Sequence, residues 1–302
     1  MSFSARAKAE LCRTPLNRDC CAAAEAYGVL LYANSFTARE IRIITASPEL
    51  ARRLPRLFQR AFGFGFDQVT QAAPGAKTSL VLTEAAGIRA VFSRFGYDPV
   101  EVVAHHINLS VLEDECCRAA FLRGAFLAGG SVTDPEKRCH LELVTDHRSV
   151  CGETVALLLE MGLPEPRSTQ RAGHYVIYFK RSEAIEDFFT AIGAPGAAMG
   201  MMSAKIEKEM RNSVNRRVNC DSANADKIVS AAQAQLERIR ELDRTVGLEN
   251  LPPDLRETAL LRIANPEASL SDLALLSDPP VSKSGASHRM RRLLKYTAAE
   301  RG

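Results

Sequence analysis

The sequence predicts an α+β protein in which a duplicated unit of helices and strands is followed by an all-helical C-terminal module. Two observations support this class. Residues 20–37 and 116–133 resemble one another at a constant offset of 96 positions, and the last thirty or so residues contain two short helical patterns separated by a Pro-Pro turn. The chain has 302 residues, enough to bury a sizeable core and to divide into two or three compact units.

The internal repeat rests on residue identities that are far more frequent than chance would give. Eight of 18 aligned positions are identical. A duplicated unit is therefore expected. The matched residues are Cys20/Cys116, Cys21/Cys117, Ala23/Ala119, Ala24/Ala120, Gly28/Gly124, Leu31/Leu127, Ser35/Ser131 and Thr37/Thr133.

The segments after each repeated stretch also correspond. Alternating apolar residues predict strands over 40–45 and 140–145, followed by helices over 48–62 and about 148–161. Further strand pairs are predicted over about 66–71 with 78–83, and over about 167–170 with 175–180. Closing helices over 84–95 and 182–192 end before Gly96 and Gly193. Each unit is thus predicted to run helix, two strands, helix, two strands, helix.

Small residues in the first helix of each unit indicate how the two units pair. Gly28 and Gly124 are flanked by alanines, which would let these helices cross closely about a pseudo-twofold axis. The alternative is that the two glycines merely end their helices. Because apolar residues continue past both glycines, we favour the crossing.

Composition excludes some classes and leaves the partner open. No apolar stretch is long and regular enough to span a bilayer, and no apolar run follows the charged N-terminus, so we expect a cytoplasmic protein with no membrane contact. The net charge of +3 is too small to indicate a nucleic-acid partner, but residues 276–302 alone carry +4. The eight cysteines show neither CxxC spacing nor a Cys/His ligand quartet. In a reducing cytosol they are interpreted as small buried hydrophobic residues, with no metal site and no cofactor expected.

The duplicated pattern, with a glycine inside an apolar helix, resembles the two-repeat LAGLIDADG homing endonucleases. The nine-residue motif falls on 26–34 and 122–130. In active members the penultimate position of each copy is an acid that helps to hold divalent metal for phosphodiester cleavage. Those former catalytic positions are Ala33 and Gly129 here, and the nearest acids downstream, Glu40 and Asp134, lie beyond the helix ends. The resemblance therefore implies the fold without nuclease activity or bound metal; an active homing nuclease or RNA maturase is the alternative.

Three further segments resemble one family, the WhiA regulators of sporulation and cell division. They are residues 116–131, the linker-like run 210–224, and the tail 268–294. This resemblance covers nearly the whole chain. It implies a duplicated LAGLIDADG homing-endonuclease-like domain of two αββαββα repeats, followed by an all-α helix-turn-helix domain. It also implies a bacterial transcription regulator that binds double-stranded DNA at promoters, associates with the nucleoid, and controls cell division or sporulation genes.

The tail predicts a helix-turn-helix from its own residues. Ser269 and Asp272 form a capping-box-like start for a short helix that ends near Ser277, and Pro279 and Pro280 prevent its continuation. Ser282 caps a second helix that extends to about residue 296. Its apolar face should bury against an earlier helix over 254–263 and against two leucines of the short helix. These apolar residues are Ala286, Met290, Leu293 and Leu294, facing Leu273 and Leu276.

The polar face of this second helix supplies the predicted DNA contacts, beginning at Ser282. The N-terminal half of such a helix meets base edges in the major groove, and flanking cations contact phosphates. The predicted base-reading residues are Ser284, Ser287, His288 and Arg291. The predicted phosphate contacts are Lys283, Arg289, Arg292 and Lys295. A solvated basic face without a partner is the alternative.

Four segments are expected along the chain. They are a first repeat with an N-terminal helix (1–110), a second repeat (111–198), a helical linker (199–223) and the helix-turn-helix domain (224–302). The basic helix over 203–218 either touches phosphates or is a solvated spacer. The strands of the repeats carry mixed charge, so a protein partner such as another regulator or RNA polymerase is an alternative to DNA there.

Overall fold

The computed structural model describes residues 1–73, 75–98 and 104–297. It divides into two compact units, Met1–Glu209 and Met210–Gly302. Within the described ranges, none of the helices is both long enough and apolar enough to cross a bilayer.

The first repeat follows an N-terminal helix and has the predicted order of elements. Ser47 caps its second helix, and Gly63, with φ of 83°, ends it. The elements are α1, Phe3–Leu11; α2, Asp19–Leu31; β1, Ser35–Phe36; β2, Ile41–Thr45; α3, Pro48–Phe62; β3, Gln68–Gln71; β4, Thr78–Leu82; and α4, Ala85–Arg94.

The second repeat has the same order, so the prediction of two αββαββα units is confirmed. Gly193, with φ of 89°, ends its last helix where the sequence predicts. The elements are α5, Glu115–Gly129; β5, Gly130–Val132; β6, Leu141–Thr145; α6, Arg148–Glu160; β7, Arg167–Arg171; β8, His174–Phe179; and α7, Ser182–Ile192.

Each repeat forms one antiparallel four-stranded sheet. The strand orders are β1-β2-β4-β3 and β5-β6-β8-β7, which are equivalent. Ile43 pairs with Leu80 in the first sheet, and Leu143 pairs with Ile177 in the second. All four side chains are buried, so one face of each sheet contributes to a continuous hydrophobic core.

The close crossing of α2 and α5 is confirmed. A Cβ atom added to Gly28 would overlap the Phe121 carbonyl oxygen and lie 2.9 Å from the Ala125 backbone nitrogen. A Cβ atom on Gly124 would overlap the Glu25 carbonyl oxygen in the same way and lie 2.9 Å from the backbone nitrogen of Val29. The two helices therefore touch backbone to backbone, which only glycine permits.

A buried ionic network joins the two repeats beside this crossing. Glu25 of α2 is fully buried and accepts hydrogen bonds from Arg53 of α3 at 2.6 and 2.9 Å and from Arg123 of α5 at 2.9 Å. Arg53 also donates to the carbonyls of Cys12 and Thr14, and Arg123 donates to that of Ile192. Every charge in the network thus has partners, which buried charges require.

The expectation that the cysteines are buried is wrong for Cys20 and Cys220, which are exposed, whereas Cys117 and Cys151 are buried and the other four are half-buried. The parallel crossing of α2 and α5 places their N-terminal turns side by side, so that the Sγ atoms of Cys20, Cys21, Cys116 and Cys117 all lie within 4.8 Å of one another. Within this cluster Cys20 is exposed, Cys117 is buried and the other two are half-buried. The sequence gives no sign of this cluster, because its two halves are 96 residues apart and carry no CxxC spacing.

The described part of the second unit, residues 210–297, contains helices and no strand. Helix α8, Pro195–Thr245, begins in the first unit and continues into the second, so the predicted basic helix is one part of it. Up to residue 297 three further α-helices follow: α9, Pro253–Ala264; α10, Leu270–Leu276; and α11, Lys283–Lys295. Both predicted linker boundaries, at 198 and 223, fall inside α8, and the four-segment division stays a prediction.

Candidate nucleic-acid interface

Helices α10 and α11 form the helix-turn-helix that the capping residues predict. Ser269 accepts a hydrogen bond from the Asp272 backbone nitrogen while the Asp272 carboxylate accepts one from the Ser269 nitrogen, so the capping box is present. Ser282 accepts a hydrogen bond from the Gly285 nitrogen at 3.1 Å and caps α11. The hydroxyl of Ser282 also lies 2.9 Å from that of Ser284.

The motif is held by a hydrophobic core of its own. Met290 and Leu293 of α11 pack with Leu273 of α10 against α8 and α9. The predicted contact with Leu276 is wrong, because 52 % of this residue is exposed. The inward stripe of α10 runs through Leu270, Leu273, Ala274 and Ser277, and at 100° per residue Leu276 lies outside it.

The solvent-facing side of α11 is polar and basic. Four residues at helical spacing along one face are exposed: Ser284, His288, Arg291 and Lys295. Ser287 is half-buried beside them, and Lys283 is exposed in the first turn. Helix α11 contains no acidic residue, so nothing within the helix offsets these cations.

Two predicted phosphate contacts have partners inside the protein. Arg289 pairs with Glu257 of α9 at 3.0 Å, and Arg292 pairs with Asp254 of the same helix at 2.9 Å. The side chain of Arg289 is only 23 % exposed, whereas that of Arg292 is 50 % exposed. The sequence contains a signal for these pairs. The two acids are three residues apart on α9 and the two arginines are three residues apart on α11, so each pair lies on one face of its helix.

A further cation belongs to the same surface and was not predicted. Lys227 of α8 lines a groove of about 330 Å³ together with Lys283 and Ser271. Because both lysines are exposed, they add positive charge beside the N-terminus of α11.

The two former catalytic positions at the C-terminal end of the α2/α5 pair carry no metal-ligating side chain. Ala33 has no ligand atom, and a Cβ atom on Gly129 would overlap the Val144 carbonyl oxygen and meet the ring of Tyr32. Tyr32 occupies this end and donates a hydrogen bond to Thr154 at 2.9 Å. Burial raises the pKa of the Tyr32 hydroxyl well above its usual value, so it remains protonated.

The sheets of the first unit carry paired charges. Arg42 forms an ion pair with Glu40 at 2.5 Å, and Arg171 forms one with Glu142 at 3.1 Å. On the second sheet, Arg138 joins Arg171 and Lys180 around a groove of about 420 Å³. Arg39 and Lys77 are exposed beside the first sheet, so the cations of the two sheets are scattered among acids, whereas α11 has no acidic residue.

Comparison with known proteins identifies both parts of the chain. The model of the WhiA LAGLIDADG-like domain matches residues 118–211, and that of the WhiA C-terminal HTH domain matches residues 214–297. A relative from Ruminiclostridium cellulolyticum, named probable cell division protein WhiA, is 38 % identical over 301 residues, which cover 97 % of this chain and 96 % of the relative. A relative of the same name from Heliobacterium modesticaldum is 38 % identical over 303 residues, covering 97 % and 95 % of the two chains.

Solved structures show the same fold. Full-length DUF199/WhiA from Thermotoga maritima matches with a TM-score of 0.61 at 24 % identity, over 98 % of this chain and 97 % of that one. The N-terminal LAGLIDADG domain of DUF199/WhiA matches with a TM-score of 0.51 at 21 % identity, over 64 % and 90 % of the two chains. These structures support the α+β fold, and the match to the family model of a helix-turn-helix domain supports DNA binding by the C-terminal module.

Proposed function

The chain belongs to the WhiA family, and on that premise we propose that it is a sequence-specific transcription regulator that binds promoter DNA through α11 and controls cell division or sporulation genes. The observation that carries this proposal is the exposed basic face of α11, presented by a capped and packed helix-turn-helix. Such a helix fits the major groove, with its N-terminal half toward the base edges.

We assign different roles to the predicted DNA contacts according to their exposure and their partners. Ser284, His288 and Arg291 are assigned to base edges because they are exposed along one face. Lys283 in the first turn of α11 and Lys295 at the C-terminal end of that face are assigned to phosphates. Arg289 and Arg292 are assigned instead to positioning α11 on α9, since each already neutralises a carboxylate.

Selection of binding sites from random double-stranded DNA tests this function. The native chain is expected to enrich one sequence, which we call the operator, and to protect it in a footprint. The double variant His288→Ala/Arg291→Ala should bind the operator at least about tenfold more weakly and lose the sequence preference, because one good side-chain-to-base contact is worth about 1–3 kcal/mol.

An arginine elsewhere in the same unit provides the matched control. Arg240 of α8 is exposed, and Arg240→Ala removes the same charge without touching α11. This variant should retain the affinity and preference of the native chain. Equal binding by the native chain and the double variant would show that α11 is not the reading element.

We further propose that the duplicated domain has no nuclease activity. Its support is the absence of a ligand atom at Ala33 and Gly129 and the lack of space for a side chain at the latter. Supercoiled plasmid incubated with the protein and Mg²⁺ is expected to remain intact. Nicking that depends on Mg²⁺ and persists at constant specific activity through further purification would contradict this proposal.

The duplicated domain is then available for a protein partner, such as another regulator or RNA polymerase. The paired charges on its sheets support this assignment over a DNA-binding surface that extends along both sheets. Under this proposal α11 recognises the promoter sequence, and the duplicated domain binds the protein partner.

A further inference from the structure

The N-terminal ends of α2 and α5 bring four sulfur atoms together at the interface of the two repeats. Cys20 and Cys21 lie in the first turn of α2, and Cys116 and Cys117 lie in the first turn of α5. All four Sγ atoms are within 4.8 Å of one another, and those of Cys20 and Cys21 are 4.0 Å apart. Among the residues that the structure describes, no other group of three or more His, Cys, Asp or Glu side chains converges in this way.

These distances fit one metal ion. Four bonds of about 2.3 Å to a tetrahedral ion place the sulfurs about 3.8 Å apart, close to what the structure already shows. An iron–sulfur cluster would hold some of its thiolates further apart, because they bind two or four different irons. The symmetry also fits, since each repeat supplies one vicinal pair from equivalent positions.

The electrostatic environment favours thiolates, which are the form that binds metal. Two helix N-termini converge on the cluster, and each places the positive end of its dipole beside a cysteine pair. The Arg18 guanidinium donates a hydrogen bond to the Cys116 sulfur at 3.2 Å. Asp19, the acid next to Cys20, forms an ion pair with Arg60 at 2.7 Å, which reduces its repulsion of nearby thiolates.

We propose that Cys20, Cys21, Cys116 and Cys117 form a structural Zn²⁺ site that ties the two repeats together at the end opposite Ala33 and Gly129. Four protein sulfurs leave no open coordination position, which is the arrangement of structural zinc sites. The proposed ion is therefore about three and a half helical turns, or about 20 Å, from the former catalytic end.

Metal content of the full chain, purified under reducing conditions, tests the proposal. The native chain and the control Cys220→Ser, which alters an exposed cysteine outside the cluster, should each retain about one zinc ion per chain. The variant Cys20→Ser/Cys116→Ser removes one ligand from each pair and should retain at least about tenfold less. Equal zinc content in the native chain and the double variant would overturn the proposal.

A second measurement needs no variant and is independent of its folding. Co²⁺ titrated into the metal-stripped native chain should give the sulfur-to-cobalt charge-transfer and tetrahedral d–d bands of a four-thiolate site, saturating at about one equivalent. Zn²⁺ should then abolish these bands. Absence of the bands, or intact masses showing that the four cysteines remain as disulfides under reducing conditions, would overturn the zinc site.

Discussion

Replacing Gly28 or Gly124 by alanine is expected to destabilise the duplicated domain by about 3 kcal/mol or more, at the upper end of overpacking costs. The added methyl group would overlap a backbone carbonyl of the facing helix, and backbone cannot rotate away as a side chain can. The two central helices must therefore separate along their whole contact. Urea unfolding followed by circular dichroism should show a clear loss in the transition midpoint.

Whether the Gly→Ala change lowers or raises stability distinguishes the effect of helix packing from that of helix propensity. Alanine is favoured over glycine inside a helix by about 1 kcal/mol, so propensity alone predicts stabilisation. Gly152 of α6 is the control, because a Cβ atom there meets nothing within 4 Å. Gly152→Ala should leave the urea midpoint unchanged or raise it. A Gly28→Ala variant as stable as the native chain would contradict the close crossing.

The substitution Glu25→Gln is expected to cost about 3–5 kcal/mol, the range for breaking a buried ion pair. Glutamine has nearly the same shape but no charge, and its amide group turns a donor toward one of two guanidinium groups. Arg53 and Arg123 would then be buried without a counter-charge. The urea midpoint of the domain should fall accordingly.

An exposed ion pair provides the comparison for this prediction. Glu40 pairs with Arg42 on the first sheet, where the two side chains are 27 % and 46 % exposed. Glu40→Gln should therefore change stability by less than about 1 kcal/mol. If the two variants lowered the midpoint equally, the buried network would not be the link between the repeats that the structure indicates.

Sequence patterns predict much of this fold because the start and end of many elements are determined by neighbouring residues. Helix α3 begins after the capping residue Ser47, and α7 begins soon after strand β8 ends. Each of the two helices ends at a glycine in the left-handed conformation. Strands β1 and β5 have only two and three residues, too few for an alternating pattern to be distinguishable. The glycine crossing was predictable because the internal repeat makes both contact residues visible at once.

Features that depend on long-range contacts were harder to predict. The cysteine quartet joins residues 96 positions apart, so spacing rules for metal ligands do not detect it. The polar face of α11 was predictable from helical spacing, but the pairing of Arg289 with Glu257 depends on how α9 packs against it. Charge alone therefore assigned to DNA an arginine whose nearest partner is a carboxylate.

The measurement that tests the role of α11 most directly is the salt dependence of operator binding by the full chain. For the native chain, the logarithm of affinity should fall linearly with the logarithm of salt concentration, by about 0.9 per phosphate contacted. The triple variant Lys283→Ala/Arg291→Ala/Lys295→Ala should bind more weakly and show a slope smaller by up to about three, depending on whether Arg291 also contacts a phosphate. Equal affinities and equal slopes for the two proteins would contradict the assignment of DNA binding to this helix.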